Sequence, residues 1–173
     1  GSHLVDSLVE AGHQVAVVDN LSTGRFDQVN RNAHLFEMDL VEPALMQVLE
    51  EVQPQVVIHH AAQIDGRRSV ANPVEDAHTN ILGSLNLLEA SVRYGAQKFI
   101  FASSGGTIYG EPRHLPCSER HPLKPLSPYG SAKAAIEIYL HYYTQVHGLD
   151  CFTLRYGNVY GPRQDPFGEA GVV

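Results

Sequence analysis

The chain has 173 residues and a formal net charge of −7, with 43% apolar and 18% charged side chains. That content suits one ordinary domain, or one lobe of a larger protein, with a buried core, and it excludes general disorder. The acidic balance argues against a nucleic-acid binder, which carries a basic stripe, and no apolar run approaches the ~20 residues of a membrane helix.

The chain opens inside a helical pattern. Leu4, Val5, Leu8 and Val9 recur at helical spacing, and Gly12 stands where a helix stops. A domain seldom starts in mid-element, so the sequence predicts a fragment; Gly1-Ser2-His3 reads equally as the remnant of an expression tag. The run from Gln14 to Asp19 is a buried strand ending in a carboxylate, and Asn20 to Gly24 is a loop. His34 to Asp39 is a second strand of the same kind. Pro43 to Val52 reads as a helix with proline in its first turn. A third strand, ending His59-His60, follows. Pro73 to Tyr94 is a long helix closed by Gly95, and a fourth strand ends at Ser103-Ser104. The stretch from Gly105 to Ser127 is a loop with four of the ten prolines. Pro128 to His147 is a long helix closed by Gly148, and a last strand ends at Tyr156. Strand and helix alternate, which predicts an α/β fold with a doubly wound parallel sheet.

In such sheets ligands bind beyond the carboxyl ends of the strands. Asp19 closes the first strand, where an acidic residue of a dinucleotide fold accepts from the adenosine ribose hydroxyls and repels a 2′-phosphate. An ordinary surface aspartate competes with that reading. Asp39 and Leu40 close the second strand; a carboxylate there can accept from an adenine amine while an apolar side chain packs on the ring, and a helix N-cap is the competing reading. Ala61, Ala62 and Gln63 follow the third strand, and their small side chains let backbone approach a ligand. Tyr129 and Lys133 stand at i and i+4, on one face near a helix start. An ammonium beside a phenol stabilises the phenolate and lowers the phenol pKa, as does the positive end of a helix. The serine ending the fourth strand is placed to hold a substrate oxygen against the phenol.

The segments HHAAQ, SVANP, NILGSLNLLEA, ASSGGTIYGE, SPYGSAKAAIE and LRYGNVYGPRQDP run through the chain in order. With them the chain resembles the NAD-dependent epimerase/dehydratase family of extended short-chain dehydrogenases/reductases. The resemblance implies a Rossmann-like domain over residues 1–173, partial because the first strand and its glycine-rich loop are lacking, with the family's C-terminal substrate domain absent. It implies tightly bound NAD and epimerisation at C4 of a UDP-sugar of the UDP-glucose/UDP-galactose type by the full-length parent. Tyr129 would be the base, Lys133 would tune it and bind the nicotinamide ribose, and Ser104 would complete the catalytic set. Gly1 would be the last glycine of the phosphate loop. Asp19, Asn20, Leu21, Ser22, Thr23 and Gly24 would wrap the ribose, and Asp39 and Leu40 would contact adenine. Ala61, Ala62 and Gln63, with Thr79 or Asn80, would lie along the cofactor. Tyr156 would sit near the nicotinamide, and Asn158 would touch the sugar nucleotide.

The third catalytic group of the family stands four residues before Tyr109, where this chain has Gly105; Ser104 and Thr107 are the substitutes at hand. Gly106 and Thr107 offer no acid, which argues against a dehydratase. Another NAD-dependent nucleotide-sugar epimerase or decarboxylase, and a non-catalytic NAD-binding fragment, are the alternative readings. Cys117 and Cys151 are too few for a disulfide framework and read as core or loop thiols. No signal peptide is visible, so the expectation is a cytoplasmic protein. No metal site is expected, since His59 and His60 are adjacent on a strand and point to opposite faces. Arg67 and Arg68 read as solvent-facing charges, with contact to a substrate phosphate as the competing reading. The wide apolar face of helix 128–147 fits a buried helix or, as the resemblance implies, a homodimer through helices 73–94 and 128–147.

Overall fold

The computed structural model describes residues 1–164. Helix α1 (Ser2–Glu10) leads to strand β1 (Ala16–Asp19), which pairs in parallel with β2 (His34–Glu37). Helix α2 (Leu45–Val52) leads to β3 (Val56–His59), and the short α3 (Gly66–Ala71) follows. Helix α4 (Pro73–Ala77) runs through a π-turn (His78–Leu82) into α5 (Gly83–Arg93). Strand β4 (Lys98–Ser104), helix α6 (Pro128–His147) and strand β5 (Asp150–Tyr156) complete the order. All pairings are parallel, as the alternation predicts.

The sheet forms two pieces, β1-β2 and β3-β4-β5. Among the described residues β1 and β3 share no ladder. The two pieces are joined instead through the core and through the amide of Asn86 on α5, which donates to the carbonyls of Leu40 and Glu42. Phe99, Phe101 and Ser103 alternate along β4 toward α6, as one face of a pleated strand must. With Leu45, Leu88 and Ile136 these two phenylalanines are fully buried. The opposite face of the sheet leaves Phe152 and Leu154 exposed. No described helix is long and apolar enough to cross a membrane.

Local differences from the sequence reading have physical causes. Helix α2 starts at Leu45 rather than Pro43, because residues 39–42 form a turn of their own. Asp39 Oδ1 accepts from the Val41 amide, and Glu42 Oε1 accepts from the Asp39 amide. Asp39 thus closes this turn in the manner of a capping box and does not cap α2, whose N-cap is Ala44. The long helix from Pro73 carries a π-turn around Asn80, a widening frequent at functional sites. Helix α3, unread in the sequence, is capped by Asp65, whose Oδ1 accepts from the Arg68 amide.

Charged side chains fasten α6 to the sheet. Arg155 on β5 grips Glu137 on α6 in a forked pair, Nε to Oε1 at 3.1 Å and an Nη to Oε2 at 2.6 Å. The same guanidinium donates to the Tyr109 hydroxyl and the Glu119 carbonyl, and Ser103 Oγ donates to Glu137. Strand ends, helix and the 105–127 loop thus share one knot. Removing one partner strands the other charge in a poorly solvated place. Glu137→Ala should lower the unfolding free energy by about 3 kcal/mol, read from urea denaturation.

His59 ends β3 inside the core, hydrogen-bonded to Ser84 Oγ at 2.8 Å. Burial, then the charges of Lys133 and His60, depress its pKa from 6.5 to about 3. Its unfolded form therefore takes up a proton below pH 6.5 while the folded form stays neutral until about pH 3. The stability is full above that window and lost as pH falls through it. His59→Gln should flatten this loss by up to about 1.4 kcal/mol per pH unit, measured by denaturation at a series of pH values.

Candidate active site

The carboxyl ends of β3, β4 and β5 converge on the start of α6. Ser127 caps that helix, its Oγ accepting from the Gly130 amide, and Pro128 sets the first turn. Tyr129 follows, its amide donating to Ser69 Oγ at 2.8 Å. Ser69 is fully buried on α3, so a helix distant in sequence fixes the backbone of the tyrosine. Gly130 admits the 105–110 loop, since a Cβ there would lie 2.7 Å from the Thr107 carbonyl oxygen and 3.0 Å from Pro125. A side chain at this position would push the loop away from Tyr129.

Lys133 is buried one turn further along. Its ammonium donates to the Ala102 carbonyl at 2.9 Å and lies 4.7 Å from the Phe101 ring centroid and 5.6 Å from that of Tyr129. The ring faces stabilise the cation. Burial still lowers its pKa from 10.5 to about 8, and Asp76 works in the opposite sense. The i, i+4 spacing by itself predicts a lowered Tyr129 pKa. Here the Tyr129 phenol is raised, first by burial and second by the charge of Asp76.

Ser104 ends β4 and is registered against Tyr156, the last residue of β5. The Gly105 amide donates to the Tyr156 carbonyl at 2.7 Å, and a Cβ on Gly105 would lie 3.1 Å from the Arg155 carbonyl. Glycine at this position is thus explained by close packing on β5. Thr107, whose amide donates to the Ser104 carbonyl at 3.4 Å, has its Oγ1 buried without a hydrogen-bond partner among the described residues. Tyr156 lies 6.1 Å from the His60 ring, centre to centre. Burial first, and Lys133 in the same sense, lower the His60 pKa; Gly1 stands as the N-cap of α1.

Beyond β3, Ala61 and Ala62 lead to Gln63. The Gln63 amide donates to Asn80 Oδ1 at 2.8 Å, and Asn80 Nδ2 donates back to the Gln63 carbonyl at 2.9 Å. Asn80, rather than its neighbour Thr79, is the π-turn residue that meets the strand end. At the β1-β2 end, Asp19 Oδ1 accepts from the Leu21 amide at 2.8 Å, and Asn20 Nδ2 donates to Asp39 Oδ2 at 3.0 Å. Leu21 takes a left-handed φ of 52°, Ser22 donates its amide to Asn20, and Thr23 precedes Gly24. A Cβ on Gly24 would lie 3.2 Å from Asp19 Oδ1. Leu40 goes elsewhere: it joins the main core, against Gly83. Asn158 lies in the exposed segment after β5.

Sequence reading missed Ser69 and Asp76. Asp76 stands four residues before Asn80, so helical spacing was the available signal. Two open grooves, one lined by Ala71 to Glu75 and His78 and one by Asp6, Asp27 to Arg31 and Arg163, include neither Tyr129 nor Lys133 in their lining. The buried lysine and the phenol stand instead at the strand ends.

Comparison with known proteins gives the family. The sequence model of the NAD dependent epimerase/dehydratase family matches residues 1–173. A UDP-glucose 4-epimerase of Mycolicibacterium smegmatis is 46% identical over 178 residues, covering 100% of this chain and 57% of that protein. The chain therefore spans little more than half the length of such relatives. The crystal structure of UDP-glucose 4-epimerase with UDP-glucose from Thermotoga maritima superposes with a TM-score of 0.95 at 49% identity, over 99% of this chain and 56% of that one. The UDP-glucose 4-epimerase of Thermus thermophilus in complex with NAD gives a TM-score of 0.95 at 49% identity, over 99% and 56% of the two chains. A strand-end site of this composition, on this fold and at these identities, has one family assignment: the chain belongs to the NAD dependent epimerase/dehydratase family.

Proposed function

We propose that the chain is the cofactor-binding and proton-handling part of an NAD-dependent nucleotide-sugar 4-epimerase of the UDP-glucose/UDP-galactose type. The observation that carries this reading is the buried Lys133 one helical turn behind Tyr129, at the carboxyl ends of parallel strands. A buried ammonium is costly, and a site that holds one next to a phenol is suited to moving a proton.

The residues present fit NAD. The Asp19 carboxylate at the end of β1, with the side-chain-free Gly24 against it, suits neighbouring ribose hydroxyls and disfavours a 2′-phosphate. Asp39, joined to it through Asn20, offers an acceptor for an adenine amine. Gln63 and Asn80 would line the path, and Lys133 and Tyr156 would hold the nicotinamide end. Bound NAD supplies the acceptor that takes a hydride from the sugar carbon and returns it to the opposite face.

The chain itself handles the proton. The Lys133 charge favours the phenolate of Tyr129. Tyr129 then takes the proton of the sugar 4-hydroxyl as the carbon is oxidised, and gives it back to the same oxygen after reduction. Ser104 holds that oxygen in line with the phenol. Tyr129→Phe should lower kcat for UDP-galactose to UDP-glucose conversion by about 10²–10⁴ in the intact protein, with NAD still bound. Chromatography of the products, and of NAD released on denaturation, reads both. Unchanged turnover would remove Tyr129 from this role. A decarboxylated or 5-epimerised product from a panel of UDP- and dTDP-sugars would move the reading to another enzyme of the family.

We also infer a homodimer through helices 73–94 and 128–147. Ile138, Tyr142 and Val146 recur one turn apart on α6 and are 70%, 45% and 63% exposed, and Val74 and Leu82 are exposed on the α4 stretch. Such a stripe on a helix is unusual without a partner. The double variant Ile138→Glu/Val146→Glu should halve the mass seen by light scattering; a monomeric parent overturns the assembly.

A further inference from the structure

Asp76 lies in the first turn of α4, a place where carboxylates are ordinarily solvated and answer the helix dipole. Its side chain is instead 1% exposed. Oδ1 accepts from Gln63 Nε2 at 3.2 Å and from Asn80 Nδ2 at 3.1 Å. Oδ2 is buried without a hydrogen-bond partner among the described residues. A carboxylate oxygen in that condition is costly, so its presence calls for a compensating role.

Two features supply one. Through Asn80 the carboxylate anchors a buried chain. Asn80 bonds both backbone groups of Gln63, Ser84 Oγ donates to the Asn80 carbonyl, and His59 meets Ser84. Helix α4 also packs on α6, and the Asp76 charge raises the proton affinity of both Tyr129 and Lys133. Among the described residues it is the side-chain charge that offsets the burial of Lys133. The other titratable groups nearby are differently engaged. His59 is neutral and His60 is lowered by burial, Arg68 pairs with Glu75 and Glu137 pairs with Arg155, and Asp65 caps α3.

We propose that Asp76 is a positioning residue of the site: it fixes the β3 end through Gln63 and Asn80, and supplies the negative charge that Lys133 and Tyr129 face from α4. Keeping Lys133 charged is the useful part. Without the carboxylate, the ring faces of Phe101 and Tyr129 are left to offset burial of the ammonium without an opposite charge, and the phenolate of Tyr129 loses its cationic neighbour at lower pH. The assignment rests on reading Tyr129 and Lys133 as the proton-handling pair, but its main test needs neither NAD nor sugar.

That test is Asp76→Asn in the intact protein labelled with ζ-¹³C tyrosine, the Tyr129 signal being assigned from Tyr129→Phe. Asparagine keeps an acceptor for Gln63 and Asn80 and removes only the charge. Tyr129 should titrate at least about half a pH unit lower in Asp76→Asn, and Asp76→Glu should restore the parent value. An unmoved Tyr129 titration in a folded Asp76→Asn protein overturns the proposal, including the case of a protonated Asp76. Should Asp76→Asn not fold, the ¹³Cγ signal of Asp76 in the parent protein must respond across the Tyr129 titration and lose that response in Tyr129→Phe; no response overturns the proposal equally. In turnover, both limbs of the pH–rate profile should move to lower pH in Asp76→Asn. A loss of rate without that movement marks a purely structural residue. Absence of epimerase activity in the parent would sink the enzymatic reading while leaving the tyrosine titration to decide the role of Asp76.

Discussion

Lys133 carries its charge into the interior, where desolvation, offset in part by Asp76, lowers its pKa from 10.5 to about 8. Everything around it serves to make that placement tolerable. The Ala102 carbonyl accepts from the ammonium, and the Phe101 and Tyr129 rings turn their electron-rich faces to it. Asp76 sets a negative charge on the side of α4. These partners come from β4, α6 and α4, so one cation fixes the mutual placement of three elements at the strand ends. An ammonium lacking any of them would release its proton or drag the helix toward solvent.

The parallel architecture provides the setting. Parallel strands end on one side, and their loops and the starts of following helices gather there. Close approach of backbone then decides which residues can occupy that edge. Gly130 lets the Thr107 carbonyl rest on the first turn of α6, and Gly105 lets β4 continue against the carbonyls of β5. The Arg155–Glu137 pair holds the same loop from the other side through Tyr109 and Glu119. Site and scaffold are thus built from the same contacts, and a change in either reaches the other.

Strand ends and helix starts were readable because their signals are local. Ser127, Pro128 and Gly148 mark α6 by capping chemistry alone, and the i, i+4 spacing puts Tyr129 and Lys133 on one face whatever surrounds them. Asp19 and Asp39 were readable as strand-closing carboxylates, and Asp39 proved to serve its own turn as well as Asn20. Leu40 reads in the sequence as a ligand-facing residue and lies in the core, because Gly83 of a distant helix leaves space for it.

The amino-acid sequence by itself determined the alternation of elements, their parallel sense, and the phenol–ammonium spacing, since period, caps and turns act within a few residues. Only the tertiary structure decided the proton affinities. A raised rather than lowered Tyr129, a neutral His59 and a buried Asp76 each follow from which long-range neighbours exclude water and which charges remain. Desolvation and charge coupling depend on distances between segments far apart in the chain, and no local pattern encodes those distances.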